Sequence, residues 1–418
     1  MNSWNNWVYG CKWNRTNSSP DLTAGRVHRK NFVAQPFTRY PVQEGMLRCV
    51  MQNDGAIPYL LSLTDSTKKL NGDAANIDGT DGQVMVRIPS FHYVIQNDGT
   101  DYAYFLISRN PFSFYLPVED RYIESAIHPF FMPVGVFNSY MYYSAFEGVL
   151  YHSGANVGGD GAGQWVSGDK IRSVAGYKPL TYESRSTFRT GCADGVFNQL
   201  SYWANEAITL LYLTEYKSWN SQSKIPGYTE DAAFVFADDV CKTGITKSLG
   251  NASGSILWQN ADVGLRCTGD QTGLYVANSF RGIENFYGHI WKWVDGININ
   301  YIGSPLTEAP IYVCNNPSQF ADDTATNYTD SGLDMPLVGG YQKDIANGTL
   351  IPTTVDGGSS STFLTDYFYA SAGAGWRALL SGGGLTGGAY AGCAYRNTSN
   401  TASYRYAILG GRSVAKKG

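Results

Sequence analysis

Charged side chains are scarce in this sequence of 418 residues. Asp, Glu, Lys and Arg together make up 16% of the chain, whereas they make up about 25% of an average soluble domain. The net charge of -4 provides no basic surface for nucleic acid, so we expect no nucleic-acid partner. Apolar residues nevertheless reach 43%, which is too many for a disordered chain. We expect a folded protein whose solubility depends on hydroxyl and amide groups.

Long apolar runs are also missing. No apolar stretch reaches the roughly eighteen residues that a membrane-spanning helix needs, so the sequence predicts no membrane insertion. The first residues, Met1 to Trp7, lack the basic and apolar regions of a signal peptide. We therefore expect synthesis in the cytoplasm without export through a signal peptide.

Motifs for catalysis and for bound cofactors are absent. The His residues show no metal-ligand spacing such as HExxH, and no phosphate-binding glycine loop or GxSxG elbow occurs. The seven Cys include no CxxC pair, so we expect buried free thiols rather than zinc ligands or disulfides. The loop from Asp73 to Asp81 has carboxylates that could hold Ca²⁺, but it lacks the EF-hand spacing, which favours a solvated turn. We expect no catalytic residue, no metal and no cofactor.

Glycine and tyrosine are abundant instead, with 47 Gly and 30 Tyr. Short apolar runs alternate with polar turns, and two of these turns read Asn-Asp-Gly, at Asn53–Gly55 and Asn97–Gly99. These residues tolerate the positive φ angles of tight turns, so each motif predicts a β-hairpin. No repeat of 20 to 50 residues is visible, which excludes propellers and solenoids.

One long helix is predicted among the strands. Apolar residues recur at helical spacing from Phe197 to Tyr212, with Asp194 as a plausible N-cap and an end near Lys217. A shorter helix is predicted near Ser184–Thr190. These patterns indicate an α+β fold with many short strands.

The C-terminal segment has an unusual composition. From Tyr367 to Gly418 it contains no Asp or Glu, yet it has six Lys and Arg residues and many aromatic ones. Tyr and Arg are common anchors of binding surfaces, because rigid aromatic rings lose little entropy when they bind. The segment therefore predicts a ligand surface, which could accept an anionic ligand.

Two segments carry a resemblance to a known fold family. Phe280–Gly296 has Gly288, Trp291 and Trp293 at positions that match a Gly-Asn-x-Trp-Glu-Trp motif. This segment resembles the formylglycine-generating-enzyme branch of the C-type lectin fold. Trp291 and Trp293 stand two residues apart on a predicted strand, so we expect both to pack in the core.

The second segment runs from Gly375 to Arg412 and ends in a Gly-x-Arg strand that looks like the family's terminal hairpin. Matching motifs occur along most of the chain, and the whole is similar to tail proteins of bacteriophages that infect gut bacteria, including targets of diversity-generating retroelements. The oxidase of the lectin branch needs a cysteine pair, and Cys393 stands alone. The calcium-dependent sugar motifs of lectins are absent as well.

The resemblance implies a C-type-lectin-like receptor-binding domain at 89–418, with long loop insertions, after a small β-rich region at 1–88 that attaches it to the tail or fibre. It implies an adhesin in the virion, a homo-oligomer with a trimer favoured, which binds other tail proteins and a glycan or protein receptor on the bacterial surface. The predicted ligand-binding residues are Trp376, Tyr390, Cys393, Tyr395, Arg396, Asn397, Thr398, Asn400, Tyr404, Arg405 and Tyr406. A glycan depolymerase and a purely structural tail or baseplate component are the alternatives.

Overall fold

Short β-strands make up most of the ordered secondary structure. A computed structural model describes residues 7–158, 164–229, 240–259, 274–355 and 357–417. The described strands begin with β1 (Tyr9–Asn14), β2 (Thr23–His28), β3 (Asn31–Ala34), β4 (Leu47–Met51), β5 (Tyr59–Leu60), β6 (Gln83–Pro89), β7 (His92–Asn97), β8 (Tyr102–Ser108), β9 (Ser113–Leu116), β10 (Arg121–Glu124), β11 (Ala126–Ile127), β12 (Tyr140–Ser144), β13 (Gly148–His152), β14 (Ala155–Val157) and β15 (Lys170–Ser173).

The later strands include the longest one in the described residues, β20. They are β16 (Phe197–Gln199), β17 (Gly254–Gln259), β18 (Leu274–Phe280), β19 (Ile283–Glu284), β20 (Trp291–Gly303), β21 (Leu306–Glu308), β22 (Pro310–Val313), β23 (Thr329–Asp334), β24 (Gly340–Ile345), β25 (Pro352–Val355), β26 (Tyr367–Tyr369), β27 (Gly375–Ser381), β28 (Arg396–Asn397), β29 (Leu409–Gly410) and β30 (Ser413–Lys416).

Helices are few in the described chain. The α-helices are α1 (Arg185–Cys192), α2 (Tyr202–Tyr216) and α3 (Ser221–Lys224). Single 3₁₀ turns occupy Gln43–Gly45, Pro129–Phe131, Pro133–Gly135, Ile245–Leu249, Pro317–Gln319 and Gly388–Tyr390. None of these helices is both long and apolar enough to cross a membrane. The protein is therefore β-rich, and the α+β class and the C-type-lectin topology stay predictions.

Three large sheets organise the fold. The first has the order β11-β7-β8-β1-β2-β3, and the second has the order β16-β30-β12-β6-β4-β5. The third has the order β23-β22-β20-β27-β28-β26-β24-β25, with β21 and β29 also paired to β20. Smaller sheets are formed by β10-β9, β14-β13-β15 and β17-β18-β19.

The second sheet joins distant parts of the chain. Its strand β30 lies between β12 and β16, and β12 pairs with β6 on its other side. The predicted boundary after residue 88 falls inside β6, and one hydrophobic core contains both Tyr9 and Val414. The tail-attachment role of residues 1–88 stays a prediction.

Helix α2 begins later than the sequence pattern indicates. Ser201, not Asp194, is its N-cap and accepts a hydrogen bond from the backbone N–H of Ala204. Residues Phe197–Gln199 form β16 and pair with β30, so their apolar side chains follow a strand. The helix ends as predicted at Lys217, which adopts the left-handed conformation. Its residues are buried on nearly every side, and it packs against β1, β8 and β20.

Several local predictions are confirmed. The two Asn-Asp-Gly turns connect β4 to β5 and β7 to β8, and Gly55 and Gly99 have the expected positive φ angles. Helix α1 has Ser184 as its N-cap. The described cysteines are free and buried, while Cys267 lies outside the described residues. Trp293 is fully buried in the core, whereas Trp291 is only partly buried and packs against that core from its edge.

Candidate functional site

Two arginines of the acid-free C-terminal segment are paired with acids from earlier in the chain. Arg396 donates to Glu206 of α2 at 2.7 Å, and both side chains are buried. Arg405 lies 3.8 Å from Glu183, although the arginine itself is largely exposed. The charge imbalance along the sequence therefore does not become an anion-binding surface around these arginines.

Two further arginines of this segment donate hydrogen bonds mainly to backbone carbonyl oxygens. Arg377 donates to the hydroxyl of Ser371 and to carbonyl oxygens of its own loop. Arg412 is fully buried and donates to the carbonyl oxygens of Ser144, Glu284 and Asn285. Both side chains hold the chain together rather than reaching for a ligand.

The predicted ligand-binding residues divide by burial, which corrects part of that prediction. Cys393, Tyr395, Arg396 and Thr398 are buried and do not form part of a contact surface. Exposed members are Tyr390, Tyr404 and Arg405, and half-buried ones are Trp376, Asn397, Asn400 and Tyr406. These residues were selected for their place in a segment poor in acids and rich in Tyr and Arg, a signal that carries no information about which way a side chain points.

A group of tyrosines that we call the tyrosine cluster, Tyr341, Tyr367, Tyr369 and Tyr390, is the main aromatic surface of this region. The ring of Tyr367 lies 4.6 Å from that of Tyr390, 5.0 Å from Tyr369 and 5.3 Å from Tyr341. Tyr369 and Tyr390 remain 43% and 41% exposed. Such ring distances are typical of favourable aromatic pairs, so the four rings support one another.

The third sheet determines how these rings meet. Tyr341 of β24 is directly opposite Tyr367 of β26, and Tyr369 follows on the same side of β26 two residues later. Tyr390 reaches the cluster from the 3₁₀ turn Gly388–Tyr390. Residues that are up to 49 positions apart in the sequence, from 341 to 390, therefore form one surface.

A buried tyrosine lies near the cluster. Tyr395 is 3% exposed, and its ring lies 4.5 Å from that of Trp291 on β20. Burial raises the pKa of Tyr395 well above its usual value, and the neighbouring tyrosines raise it further. The phenol therefore stays neutral, and the Tyr395 ring packs in the interior against Trp291.

A polar cleft of about 240 Å³ adjoins the tyrosine cluster. Its lining residues are mostly small or uncharged: Asn220, Gln222, Ser223, Ser360, Thr365, Asp366, Ala389 and Ala391. The two alanines flank Tyr390, and Ser360 hydrogen-bonds to Tyr341. The cleft and the cluster are therefore parts of the same surface.

Hydrogen bonds from α3 and its cap hold one wall of the cleft. Gln222 donates through Nε2 to the carbonyl oxygens of Gly388 at 2.9 Å and Ala391 at 2.8 Å, which fixes the turn that carries Tyr390. Asn220 caps α3, since its Oδ1 accepts from the N–H of Ser223 at 2.9 Å. Its Nδ2 group has no hydrogen-bond partner in the described part of the chain.

Asp366 forms the buried end of the cleft. Its carboxylate accepts from the N–H of Ala394 at 2.7 Å and lies 3.5 Å from the hydroxyl of Ser221. Burial raises the pKa of Asp366 to about 7, although the hydrogen bond from Ala394 opposes that rise. At neutral pH the cleft therefore holds at most a partial negative charge.

The remaining exposed aromatic residues of the predicted surface form separate pairs. Tyr404 stacks on Tyr406 with ring centroids 6.2 Å apart, and Trp376 lies 5.6 Å from Tyr312. Neither pair includes a member of the tyrosine cluster. The structure thus brings Tyr390 into a larger surface that includes three tyrosines absent from the sequence prediction.

The residues that carry the family resemblance have a structural role. His289 bonds through Nδ1 to buried Glu147, while its Nε2 accepts from the N–H of Cys241 at 2.9 Å. Lys292 lies 3.3 Å from the same carboxylate, and β29 pairs in parallel with β20. Burial opposes ionisation of Glu147, but His289 and Lys292 lower its pKa to about 2. This network connects the two motifs beneath the candidate site.

Groups that could ligate metal are not evident around the site. In the described ranges, no three His, Cys, Asp or Glu side chains come together as a metal site would require. The Asp73–Asp81 loop, considered for Ca²⁺, uses its carboxylates locally: Asp73 accepts from Asn71, and Asp81 accepts from the hydroxyl of Tyr59.

Comparison with known proteins gives a distant structural similarity. No protein-family model matches the chain, and no curated protein sequence matches it. A solved structure named Major Tropism Determinant I1 Variant is similar with a TM-score of 0.30 and 10% sequence identity, over 97% of this chain and 83% of that one. A similarity at this level assigns neither topology nor function.

Proposed function

We propose that the protein is a bacteriophage tail adhesin that binds a ligand on the bacterial surface through the tyrosine cluster. The single observation that carries this proposal is a set of half-exposed, mutually packed tyrosine rings beside a polar cleft. The resemblance of the whole arrangement of motifs to bacteriophage tail proteins supports the assignment to a phage.

Rigidity makes the cluster suitable for binding. Tyr341 and Tyr367 sit on paired strands, and Gln222 fixes the turn that carries Tyr390. Gln342 adds support from below, because its Nε2 donates to the carbonyl oxygens of Ala394 and Asp366. Side chains that are ordered before binding lose little entropy on contact with a ligand.

Several copies on one particle would strengthen a weak individual contact. A homotrimer is the assembly that we propose, with residues 1–88 attached to other tail proteins and the cluster directed outward. Linked sites can exceed the affinity of one site by factors of about 10² to 10⁴. In this proposal the adhesin acts in the virion and without catalysis.

Substitution of the exposed rings tests the proposed site. Labelled protein would be incubated with a panel of gut bacterial isolates, and bound protein would be measured by flow cytometry. Tyr369→Ala and Tyr390→Ala are each expected to lower cell binding about tenfold or more, as loss of an aromatic anchor does. Tyr122→Ala is the matched control. Tyr122 is 55% exposed and its ring lies 5.3 Å from that of Tyr115, and both residues belong to the β10-β9 sheet rather than to the third sheet.

The outcomes separate the cluster from the other aromatic surfaces. The proposed binding site would be contradicted if the Tyr390→Ala and Tyr369→Ala variants bound cells as well as the control does. Loss of binding in Tyr404→Ala alone would move the contact to the Tyr404–Tyr406 pair. Thermal unfolding of each variant would show that the fold is intact, since these side chains are largely exposed.

A further inference from the structure

We infer that the ligand of the tyrosine cluster is an uncharged saccharide, one ring of which enters the cleft beside Tyr390. This inference rests on the proposed function and adds the chemical class of the ligand. It depends on three properties of the described residues: their charge, the arrangement of their rings and their hydrogen-bonding groups.

Charge is the first property. The tyrosine cluster has no charged member, and Asp366 is the only ionisable residue among the described residues that line the cleft. Asp366 is 2% exposed, and its hydrogen bond to Ala394 directs it inward. The nearby Arg396 is buried against Glu206. Because neither the tyrosine cluster nor the lining of the cleft includes a cation, these residues offer no charged partner to an anionic sugar or a phosphate and favour a neutral ligand.

Ring arrangement is the second property. Tyr369 and Tyr390 present half-exposed rings, and Tyr367 lies between them at 5.0 and 4.6 Å. The face of a pyranose has C–H groups of slight positive charge, which complement the negative face of an aromatic ring. Two separated rings on one surface can therefore contact successive sugar units of a chain.

Hydrogen-bonding groups are the third property. The cleft offers the Nδ2 group of Asn220 as a donor and the hydroxyl oxygen of Ser223 as an acceptor, because the Ser223 proton is donated to the carbonyl oxygen of Asn220. The Ser360 hydroxyl is bonded to Tyr341, and Ala389 and Ala391 leave space at the mouth of the cleft. Sugars have many hydroxyl groups and need such partners when water is displaced. A volume near 240 Å³ is slightly below the lower end of about 300 Å³ for drug-sized ligand pockets, which suits a single ring.

Chemical treatment of the target cells tests the ligand class. Cells of an isolate that binds the protein would be oxidised with periodate, which cleaves vicinal diols of sugars, or digested with a broad protease. We expect binding to fall at least tenfold after periodate and to survive the protease. Loss of binding after protease alone would overturn the saccharide and indicate a protein ligand. Absence of binding to every isolate would instead contradict the proposed adhesin function.

Purified saccharides test the charge argument directly. An array of immobilised neutral and anionic oligosaccharides would be probed with the purified protein. We expect binding to neutral members and no gain from carboxylate, sulfate or phosphate groups. Preference for anionic members would overturn the inference even if cell binding remained periodate-sensitive.

A conservative substitution in the cleft tests its participation. Asn220→Asp keeps the oxygen that caps α3, since Asp is an equally good N-cap, but replaces the Nδ2 donor with a negative oxygen. We expect this variant to bind periodate-sensitive cells about tenfold more weakly, the usual effect of one lost ligand hydrogen bond with an unpaired group left behind.

Asn316→Asp is the matched control for Asn220→Asp. Asn316 caps the 3₁₀ turn Pro317–Gln319 through the same type of hydrogen bond and lines a different cavity. The Asn316→Asp variant should bind cells as the unmodified protein does. Equal binding by both variants, with unchanged thermal unfolding, would exclude Asn220 and the cleft from the site.

Discussion

Arg396→Ala should destabilise the protein strongly, although the sequence placed Arg396 on the binding surface. The side chains of Arg396 and Glu206 are 1% and 2% exposed and lie 2.7 Å apart. Glu206 also accepts hydrogen bonds from the N–H of Leu350 at 2.6 Å and the hydroxyl of Thr349 at 3.0 Å. The pair thus ties α2 to β28 and to the chain before β25.

The magnitude follows from what the substitution leaves behind. Without Arg396, the Glu206 carboxylate keeps two hydrogen bonds but loses its counter-charge in a buried site. Removal of one member of a buried ion pair typically costs about 3–5 kcal/mol. This is a large fraction of the ~5–15 kcal/mol that stabilises a typical domain, so a shift in the unfolding midpoint should be easy to measure.

Urea unfolding of a double-mutant cycle is the appropriate assay. Arg396→Met and Glu206→Gln would be made singly and together, because the double variant removes both charges and keeps similar volumes. We expect the double variant to be less destabilised than the sum of the single variants, with a coupling free energy above about 1 kcal/mol. The structural role is wrong if the unfolding free energy of Arg396→Ala lies within about 0.5 kcal/mol of that of the unmodified protein while the variant no longer binds cells. In that case Arg396 is a contact residue.

Two further predictions concern pH and turnover. Burial raises the folded-state pKa of Asp366 from its ordinary value of 3.8 to about 7. The stability that the protonated carboxyl group contributes is therefore complete below pH 3.8 and is lost as the pH rises through 7. Asp366→Asn should flatten the dependence of the unfolding free energy on pH in that window, and an unchanged slope would refute the assignment. Because we propose adhesion without catalysis, incubation with purified surface glycan should leave its size distribution unchanged in size-exclusion chromatography. Shortened chains would favour the depolymerase alternative.

Local features of the fold are predictable from the sequence, whereas strand partners are not. The turns at Gly55 and Gly99 were identified because backbone conformation there depends on adjacent residues. The start of α2 was misplaced, since Phe197 and Leu200 fit a helical period but Phe197 belongs to a strand that pairs with β30. That pairing joins residues more than 200 positions apart, so no local pattern reports it.

The candidate site shows the same limit. Depletion of acids after Tyr367 directed attention to the segment that contains Tyr367, Tyr369 and Tyr390. The expected positive surface does not form around Arg396 and Arg405, because Glu206 and Glu183 approach them from elsewhere in the chain. Tyr367 and Tyr369 stand two residues apart in an apolar setting, a signal that could have placed both on one side of a strand. Nothing in the sequence brings Tyr341 to them, because that contact depends on the pairing of β24 with β26.

The position of β30 has a consequence for biosynthesis. This strand, Ser413–Lys416, lies between β12 and β16 inside its sheet, so the ladder between its neighbours stays open until these four residues leave the ribosome. Until then β12 exposes an unpaired edge that can associate with other nascent chains. Folding of the second sheet is therefore completed only after Ser413–Lys416 has been synthesised, and a bulky insertion directly after Lys416 would hinder its closure.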